Sequence, residues 1–223
     1  MSWTVNRRNF VATAAGLAAA GLTGVARASR RGRKLNVLMI ITDQEQSPLS
    51  YPSGLLEKLP AHRALLERGL LIENYHVQTT PCSPSRSTIF CGHHTQQTGL
   101  FLNSDTPPNP IAAETMPTLG HMMQAAGYFT SYKGKWHLSR EFDTREVGQF
   151  MTPHMDKYGF SDNFSPGDLI GHTLGGYSFD HMTAGSAINW LRTKGRPLSD
   201  DGKPWCMVAS FVNPHDVMYF NTD

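Results

Sequence analysis

The first candidate for chemistry in this sequence is a cysteine close to a proline and an arginine. Residues 82–86 read Cys-Ser-Pro-Ser-Arg. Pro84 is suited to the first turn of a helix, which would place Arg86 about one turn beyond Cys82. A small buried cysteine before such a helix would account for Cys82 and Pro84 but not for Arg86. The segment therefore favours a chemical role for Cys82 over a structural one.

The cysteine content of the chain agrees with a modified residue. There are three cysteines, Cys82, Cys91 and Cys206, which are too few and too far apart for a disulfide scaffold. No Cys-x-x-Cys or paired Cys/His spacing predicts a zinc site. Chemical modification of Cys82 would explain the odd number, and Cys91 and Cys206 are then expected to be small core residues.

The elements that would position such a site alternate between strands and helices. The strand candidates are residues 35–42, a short and nearly continuous apolar run, and residues 70–77, 128–133 and 205–212. The helix candidates, which begin at proline or end before glycine, are residues 60–68, 84–91, 117–126 and 179–194. The alternation predicts an α/β fold in which helices flank a mostly parallel central sheet. We interpret the aperiodic stretch 137–176 as a long insertion near the site.

Several reactive side chains follow strand candidates at their carboxyl ends. They are Asp43, Lys135, His137 and His215. Cys82 is predicted to lie in the loop between a strand candidate and a helix. Ligands of open α/β sheets bind at the carboxyl edge of the strands. The sequence therefore predicts that these side chains meet at one rim of the sheet.

Residues 82–86 match the Cys-x-Pro-Ser-Arg signature of the sulfatase family, in the alkaline-phosphatase-like superfamily. A match at four fixed positions arises by chance about once in a thousand chains of this length. Residues 134–138, Gly-Lys-Trp-His-Leu, resemble another segment of the family. Residues 36–44 resemble its opening strand, whose terminal acid binds the metal, and residues 211–215 resemble a later segment ending in histidine. Residues 35–223 are thus similar to the N-terminal part of a sulfatase catalytic domain.

The resemblance implies a catalytic role for each of five residues. Cys82 would be oxidised to formylglycine (3-oxoalanine) by a formylglycine-generating enzyme, and its hydrate would be both the nucleophile and a metal ligand. Arg86 would steady this hydrate, and Lys135 would grip the sulfate. His137 would deprotonate the second hydroxyl of the hydrate. His215 would assist the leaving alcohol as an acid or hydrogen-bond donor.

A divalent cation is also implied by the resemblance, with Asp43 and Gln44 among its ligands. Because a sulfate ester is negatively charged, the site needs a cation and fixed positive side chains to receive it. The hard oxygen of Asp43 suits calcium, with magnesium as the alternative. Many arylsulfatases have two consecutive aspartates here, so Gln44 removes one negative charge, although an amide oxygen can still bind calcium.

The formylglycine hydrate also gives the reaction a way to end. A thiol that attacked sulfur would leave a sulfated enzyme with no easy exit. A hydrated aldehyde has two hydroxyls on one carbon: one attacks sulfur, and deprotonation of the other expels sulfate and regenerates the aldehyde.

Three interpretations of the function stay open. The leading one is a sulfuric ester hydrolase. Because Asp-Gln at 43–44 also resembles the choline-sulfatase and phosphonate-monoester-hydrolase branches, a phosphate or phosphonate ester hydrolase is the enzymatic alternative. The third is a noncatalytic exported fragment. Sulfatases need a later Asp-Asn or Asp-His metal pair and usually another lysine, so we expect this polypeptide by itself to be truncated and inactive, with unpartnered strands at its carboxyl end.

The first 28 residues have the three parts of an export signal. These are the pair Arg7-Arg8, a weakly apolar stretch at 10–26 and a small-x-small cleavage site at 26–28. Twin arginines followed by Phe10 predict the twin-arginine translocase. Residues 29–34 are predicted to form a basic linker. We expect a periplasmic or secreted protein whose Cys82 is oxidised before the folded chain is exported.

The charge of the chain argues against a nucleic-acid partner. Of its 20 basic residues, three lie in the first 28 positions, which leaves 17 against 18 acidic residues. The remainder is close to neutral, and it has no cluster of lysine and arginine with interleaved aromatic residues. A small-molecule sulfate ester is the expected ligand.

Overall fold

A computed structural model describes residues 34–103, 116–139, 155–164 and 175–216. The described residues fall into two compact units, one formed by 46–76 and the other by the remaining described residues. The predicted leader at 1–28 and all of the linker except Lys34 lie outside the described residues. In the described part of the chain, no helix is long and apolar enough to cross a membrane.

The second unit is built on a sheet of parallel strands. They are β1 (Val37–Asp43), β2 (Phe129–Gly134), β3 (Asp162–Phe164) and β4 (Trp205–Pro214). The spatial order is β1-β4-β2-β3, and every pairing is parallel. In register, Val37 and Phe129 lie beside the start of β4. The carboxyl ends therefore meet at one edge, and the predicted α/β fold with a parallel sheet is confirmed.

The helices lie where proline and glycine signals place most of them. In chain order they are α1 (Pro60–Arg68), α2 (Cys82–Cys91), α3 (Thr95–Thr98), α4 (Leu119–Ala125), α5 (Gly175–Trp190) and α6 (Arg196–Asp200), with a π-helical turn at Leu191–Gly195. Short 3-10 turns occupy Pro48–Ser50, Leu56–Lys58 and Met155–Tyr158. Helix α2 ends at Gly92, whose φ of 69° requires the left-handed region that glycine tolerates.

Two hydrophobic clusters cover the two faces of the sheet. One contains Tyr132 of β2 and Val208 of β4, together with aromatic residues of the loops. The other contains Met207 and Ala209 of β4 and packs under Trp190 of α5. Neighbouring residues of β4 thus point to opposite faces, as the two-residue period of a strand requires. The sheet is buried on both sides along β4, which explains the continuous apolar run in its sequence.

The structure corrects the predicted strand at 70–77. These residues form no strand, and Leu70, Tyr75 and Val77 are all more than 60% exposed. A turn at 73–74 divides the segment, because Glu73 and Asn74 interrupt its apolar run. The run is therefore too short to bury either face.

Cys82 was predicted to lie in a loop, and this was wrong. It is the first residue of α2, which begins two positions before Pro84. Proline is tolerated there because the first turn of a helix needs no N–H from that residue.

Two further boundaries differ from the sequence prediction. Gly195 does not end the helix predicted at 179–194, because its backbone stays right-handed and α6 follows. The absence of a side chain at Gly195 leaves room for Trp190, whose ring would lie 2.9 Å from an added Cβ. The interpretation of 137–176 as a wholly aperiodic insertion was also wrong, since it contributes β3. A strand of three residues is too short to produce a periodic signal.

Candidate active site

Asp43, the last residue of β1, is the centre of a buried charged cluster. Its Oδ2 lies 3.1 Å from Arg86 Nη2 and 2.5 Å from Lys135 Nζ. Burial by itself would raise the pKa of Asp43, but the adjacent guanidinium and ammonium groups outweigh burial and lower this pKa from 3.8 to about 2. Asp43 is therefore a carboxylate at every physiological pH.

Cys82 contacts the same cluster from the first turn of α2. Its Sγ–H donates to Asp43 Oδ1 over 3.4 Å, and Lys135 Nζ lies 3.8 Å from the sulfur. Burial raises the pKa of the Cys82 thiol, and the Asp43 carboxylate adds to this effect while Lys135 opposes it. The thiol is thus held protonated, which is the opposite of what a thiolate nucleophile requires.

Arg86 links the ends of three strands. Besides the ion pair with Asp43 of β1, its Nη1 donates to Lys135 O just beyond β2 and to Ser210 Oγ of β4, both over 2.9 Å. The side chain is only 4% exposed. Arg86 lies four positions after Cys82, about one helical turn, so the helix presents both side chains to the same cluster. This geometry explains the spacing of the cysteine and the arginine in the motif.

The end of β2 is pressed closely against β4. Gly134 has a φ of 95°, and a Cβ at this position would lie 2.0 Å from Ser210 O. The close approach allows Lys135 N to donate to Ser210 O over 3.0 Å. Tyr132 Oη donates to Lys135 O over 2.5 Å. Lys135, which is 1% exposed, is thereby fixed at both its backbone and its ammonium group.

His137 follows Lys135 and is also buried. Its φ is 54°, an unusual value for a residue that is not glycine, so the chain turns sharply there. Burial lowers the pKa of His137, and the charges of Lys135 and Arg86 add to this effect, so that the pKa falls from 6.5 to about 3. The imidazole is therefore neutral at physiological pH, and its surroundings oppose uptake of a proton.

An open cleft of about 450 Å³ leads to Asp43 and Cys82. Gln44 lies on the wall of this cleft and has a φ of 59°. Unlike its neighbour Asp43, Gln44 is exposed. The left-handed backbone at Gln44 is the point where the chain leaves the sheet after the buried carboxylate.

His215 lies just beyond the end of β4. Its Nδ1 is 3.0 Å from Oδ1 of Asp216, the next residue. The ring is close enough to the cluster to contribute to the lowering of the pKa of both Asp43 and His137. The structure therefore brings together Asp43, Cys82, Lys135 and His137, which the sequence placed at one rim, with His215 beside them, and the motif residue Arg86 joins this cluster. Gln44 stands at the cleft wall.

The described residues fit one side of a site for a hard cation. Asp43 offers carboxylate oxygens and the adjacent Gln44 carries an amide oxygen, both suited to calcium or magnesium. Within the described ranges, no group of three or more His, Cys, Asp or Glu side chains gathers as a metal site. Because calcium takes about six to eight oxygen ligands, Asp43, Gln44 and position 82 would supply only part of its coordination.

Three polar residues near the cluster have no signal in the motifs. Ser210 lies in a strand whose apolar character dominates the sequence pattern, and it binds Arg86. Asp180 of α5 contacts the backbone of β4, more than 30 positions away, so no local pattern could reveal it. Asp216 follows His215 directly, so the adjacent His-Asp pair is the one sequence feature, outside the motifs, that could have pointed to one of these three residues.

The described residues form an α/β fold with a buried charged cluster at the carboxyl edge of a parallel sheet, the edge where ligands of such folds bind. A family model described as Sulfatase matches residues 35–223, which is most of the chain. The chain belongs to the sulfatase family.

Known proteins that are similar to this chain include sulfatases and one related hydrolase. The choline-sulfatase of Rhizobium meliloti is 26% identical over 204 residues. A solved 2-O GAG sulfatase structure has a TM-score of 0.60 at 24% identity. The phosphonate monoester hydrolase of Silicibacter pomeroyi has a TM-score of 0.55 at 18% identity. These two structural likenesses show a shared fold.

The chain corresponds to part of each of these proteins. The match covers 82% of this chain and 39% of the choline-sulfatase. For the structures, it covers 82% of this chain and 36% of the 2-O GAG sulfatase, and 81% and 42% for the phosphonate monoester hydrolase. The chain thus spans about two fifths of the length of the relatives it matches.

Proposed function

We propose that this chain carries the nucleophile of a sulfuric ester hydrolase, with Cys82 as the precursor of formylglycine. The observation that carries the proposal is the position of the sulfur, 3.4 Å from Asp43 Oδ1 and 3.8 Å from Lys135 Nζ. A nucleophile at this position would be attached to the first turn of α2, beside both positive side chains of the cluster.

The protonation state of Cys82 supports oxidation over direct attack by the thiol. A catalytic cysteine needs a lowered pKa, whereas burial raises the pKa of this thiol. A hydroxyl of the formylglycine hydrate would instead be placed where it could donate to Asp43, as the thiol does. Asp43 would then hold the attacking group in position.

The charge of the cluster favours an anionic ligand. Arg86 and Lys135 contribute two buried positive charges, Asp43 contributes one negative charge, and His137 is neutral. The N-terminus of α2, a helix of ten residues, adds a partial positive charge beside Cys82. Lys135 would bind a sulfate oxygen, and Arg86 would hold the hydrate and keep the strand ends together.

Proton transfer is assigned to the two histidines. His137 would accept the proton whose loss from the hydrate expels sulfate, which requires that its pKa rise when the substrate binds. A bound anion beside His137 would raise the pKa of its ring, because negative charge favours the imidazolium. His215 would protonate the leaving alcohol or donate a hydrogen bond to it.

Asp43 and Gln44 would hold a calcium or magnesium ion together with position 82. When bound, such a cation would polarise the ester and neutralise part of its charge. Gln44 in place of a second aspartate leaves this side of the site one negative charge weaker. We expect this to favour a ligand that carries more negative charge.

Within the alternative of a phosphate or phosphonate ester hydrolase, that expectation supports phosphate monoesters. Phosphate monoesters carry up to one more negative charge than sulfate esters, and Gln44 follows the acid at the cleft wall. The fold likeness to a phosphonate monoester hydrolase is compatible with this alternative. The sulfatase proposal is preferred because the matching family model is that of the sulfatases.

Co-expression with a formylglycine-generating enzyme tests the proposal. Mass spectrometry of the peptide containing Cys82 is expected to show that an oxygen atom has replaced H2S. The protein from its native gene would then be assayed with an aryl sulfate, an aryl phosphate and an aryl phosphonate in the presence of calcium, with Cys82→Ala as the control. An unmodified thiol in every preparation would overturn the proposal, and faster turnover of the phosphorus esters would establish the alternative.

We further propose that residues 1–28 direct export by the twin-arginine translocase to the periplasm or the medium. The arginine pair and the small-x-small site support this. Replacement of Arg7 and Arg8 by lysine should retain the protein in the cytoplasm, as measured by cell fractionation. Arg30→Lys, beyond the cleavage site, should be exported normally, and export of the double variant would contradict the proposal.

A further inference from the structure

The backbone just before His215 is held by a carboxylate of helix α5. Asp180 Oδ1 accepts a hydrogen bond from Val212 N and Asp180 Oδ2 accepts one from Asn213 N, each over 2.8 Å. A carboxylate that receives two consecutive backbone amides fixes their peptide planes. The backbone of Val212 and Asn213, just before His215, is therefore fixed to α5.

A second carboxylate fixes the ring of His215 itself. Asp216 Oδ1 accepts from His215 Nδ1 over 3.0 Å, and Asp216 Oδ2 accepts from Gly176 N over 2.8 Å. The Asp216 side chain is 2% exposed, and that of His215 is 11% exposed. Asp216 is thus anchored to the start of α5 and cannot turn away without losing the bond from Gly176.

Close packing supports this arrangement. An added Cβ at Gly176 would lie 2.4 Å from Asn213 Oδ1. The Asn213 side chain therefore packs directly against Gly176, and a larger residue at this position would displace it. Both carboxylates reach their partners across this contact, so α5 serves as a rigid support for His215.

We infer that Asp216 and Asp180 are positioning residues that hold His215 with its proton on Nδ1 and with Nε2 presented to the site. A carboxylate accepts hydrogen bonds, so the His215 nitrogen beside it must carry the proton. In the neutral ring this leaves the lone pair on Nε2. Carboxylates fix the tautomer of catalytic and metal-binding histidines in the same way. The catalytic consequence rests on the proposed function, but the tautomer does not.

Nuclear magnetic resonance of the histidine rings tests the inference without any assay of activity. The protein would be labelled with ¹⁵N-histidine and studied at pH 8, above the ordinary histidine pKa of about 6.5. Loss of one ring signal in His215→Gln assigns His215. We expect a protonated Nδ1 and an unprotonated Nε2 for this residue. A wild-type His215 ring with its proton on Nε2 would overturn the inference, whatever the activity of the protein.

Two variants and a control extend the test. Asp216→Ala should move the proton of His215 largely to Nε2, whereas Asp201→Ala, at an exposed aspartate in a loop, should leave it on Nδ1. Asp180→Asn should speed hydrogen exchange at the amides of Val212 and Asn213. If Asp216→Ala leaves the tautomer unchanged, Asp216 does not position the ring.

Kinetics separate this inference from the proposed function. With an ester substrate, Asp216→Ala should lower kcat by about tenfold to a hundredfold and change KM little. If the wild-type protein from its native gene were inactive but had the Nδ1–H tautomer, this would contradict the proposed function and support the positioning role. An active wild-type protein whose kcat is insensitive to Asp216 would overturn the claim that positioning matters for the reaction.

Discussion

Asp43 is ionised although it is buried, because two positive side chains touch it. A carboxyl group whose pKa falls from 3.8 to about 2 on folding stabilises the folded state by about 2 kcal/mol at neutral pH. The unfolded chain takes up the proton first as the pH falls. This stabilisation is therefore complete above about pH 5 and is lost as the pH approaches 2.

Replacement of Asp43 tests this balance. Asp43→Asn should lower the free energy of unfolding by about 3 to 5 kcal/mol at pH 7, because Arg86 and Lys135 would stay buried without a counter-charge. Urea titrations at several pH values would measure it, and the difference from wild type should narrow toward pH 2. Asp201→Asn, at a site 65% exposed, should change stability very little. A constant difference at all pH values would contradict this account.

The folded state requires a neutral His137, whereas it requires a charged Asp43. The pKa of His137 is lowered from 6.5 to about 3, so between these pH values the unfolded chain binds a proton that the folded chain does not. Stability is then complete above about pH 6.5 and falls by about 1.4 kcal/mol per pH unit on acidification.

The variant His137→Gln should remove this slope. As the pH is lowered from 6.5 to 4, the free energy of unfolding of the wild type should fall relative to that of the variant. The slope of this difference should correspond to at most about one bound proton. Urea titrations at matched pH values measure the difference. His181→Gln, at a histidine on the exposed side of α5, serves as the control. Parallel pH profiles for wild type and His137→Gln would show that His137 is not the group responsible.

At the scale of elements, the contact between β2 and β4 decides where the reactive side chains meet. An added Cβ at Gly134 would lie 2.0 Å from Ser210 O, so the contact leaves no room for any side chain. Lys135 and His137 follow directly, so their positions depend on this contact. A wider spacing would also separate Arg86 from its acceptors on the two strands.

Gly134→Ala is expected to damage both stability and the site. The added methyl group must push β2 from β4, so we expect destabilisation of more than about 3 kcal/mol and weaker anion binding at Lys135. Gly202→Ala is a matched control, since Gly202 has a φ of 72° but nothing lies within 4 Å of an added Cβ. It should reveal backbone strain alone, about 1 to 2 kcal/mol. Equal effects in thermal unfolding would contradict the steric explanation.

At the scale of the whole molecule, β1 carries apolar side chains that the described residues do not cover. Within the described part of the chain, β1 pairs only with β4. Leu38 is 44% exposed and Ile40 is 56% exposed. Strand edges with exposed apolar side chains promote association between chains. The expectation of unpartnered strands at the carboxyl end was wrong for the described residues, because β4, the last described strand, pairs with both β1 and β2.

This exposure predicts how residues 29–223 behave when purified alone. We expect concentration-dependent association in sedimentation velocity, which the double variant Leu38→Lys, Ile40→Lys should reduce. Leu65→Lys, at a leucine that is 66% exposed on α1, is the control and should have a smaller effect. A monomeric wild-type chain, or an equal effect of the control, would contradict a role for β1.

The sequence by itself determined the elements whose signals are local. Proline and glycine marked α1 and α2, and apolar runs marked β1 and β4, of which β4 is buried on both faces. The spacing from Cys82 to Arg86 is also local, since one helical turn brings both side chains to the same side. The family and the rim that carries the cluster followed from these features.

Only the tertiary structure decided which groups control the charges at that rim. The contacts of Arg86 with Ser210, of Asp180 with β4 and of Asp216 with α5 join segments far apart in sequence or depend on rotamers. Tertiary contacts also decide that β3 forms, because β2 offers it an edge. They decide that 70–77 forms no strand, because the described residues do not cover it. Burial and neighbouring charges fix the pKa values of Asp43, Cys82 and His137, and neither exists before the chain has folded.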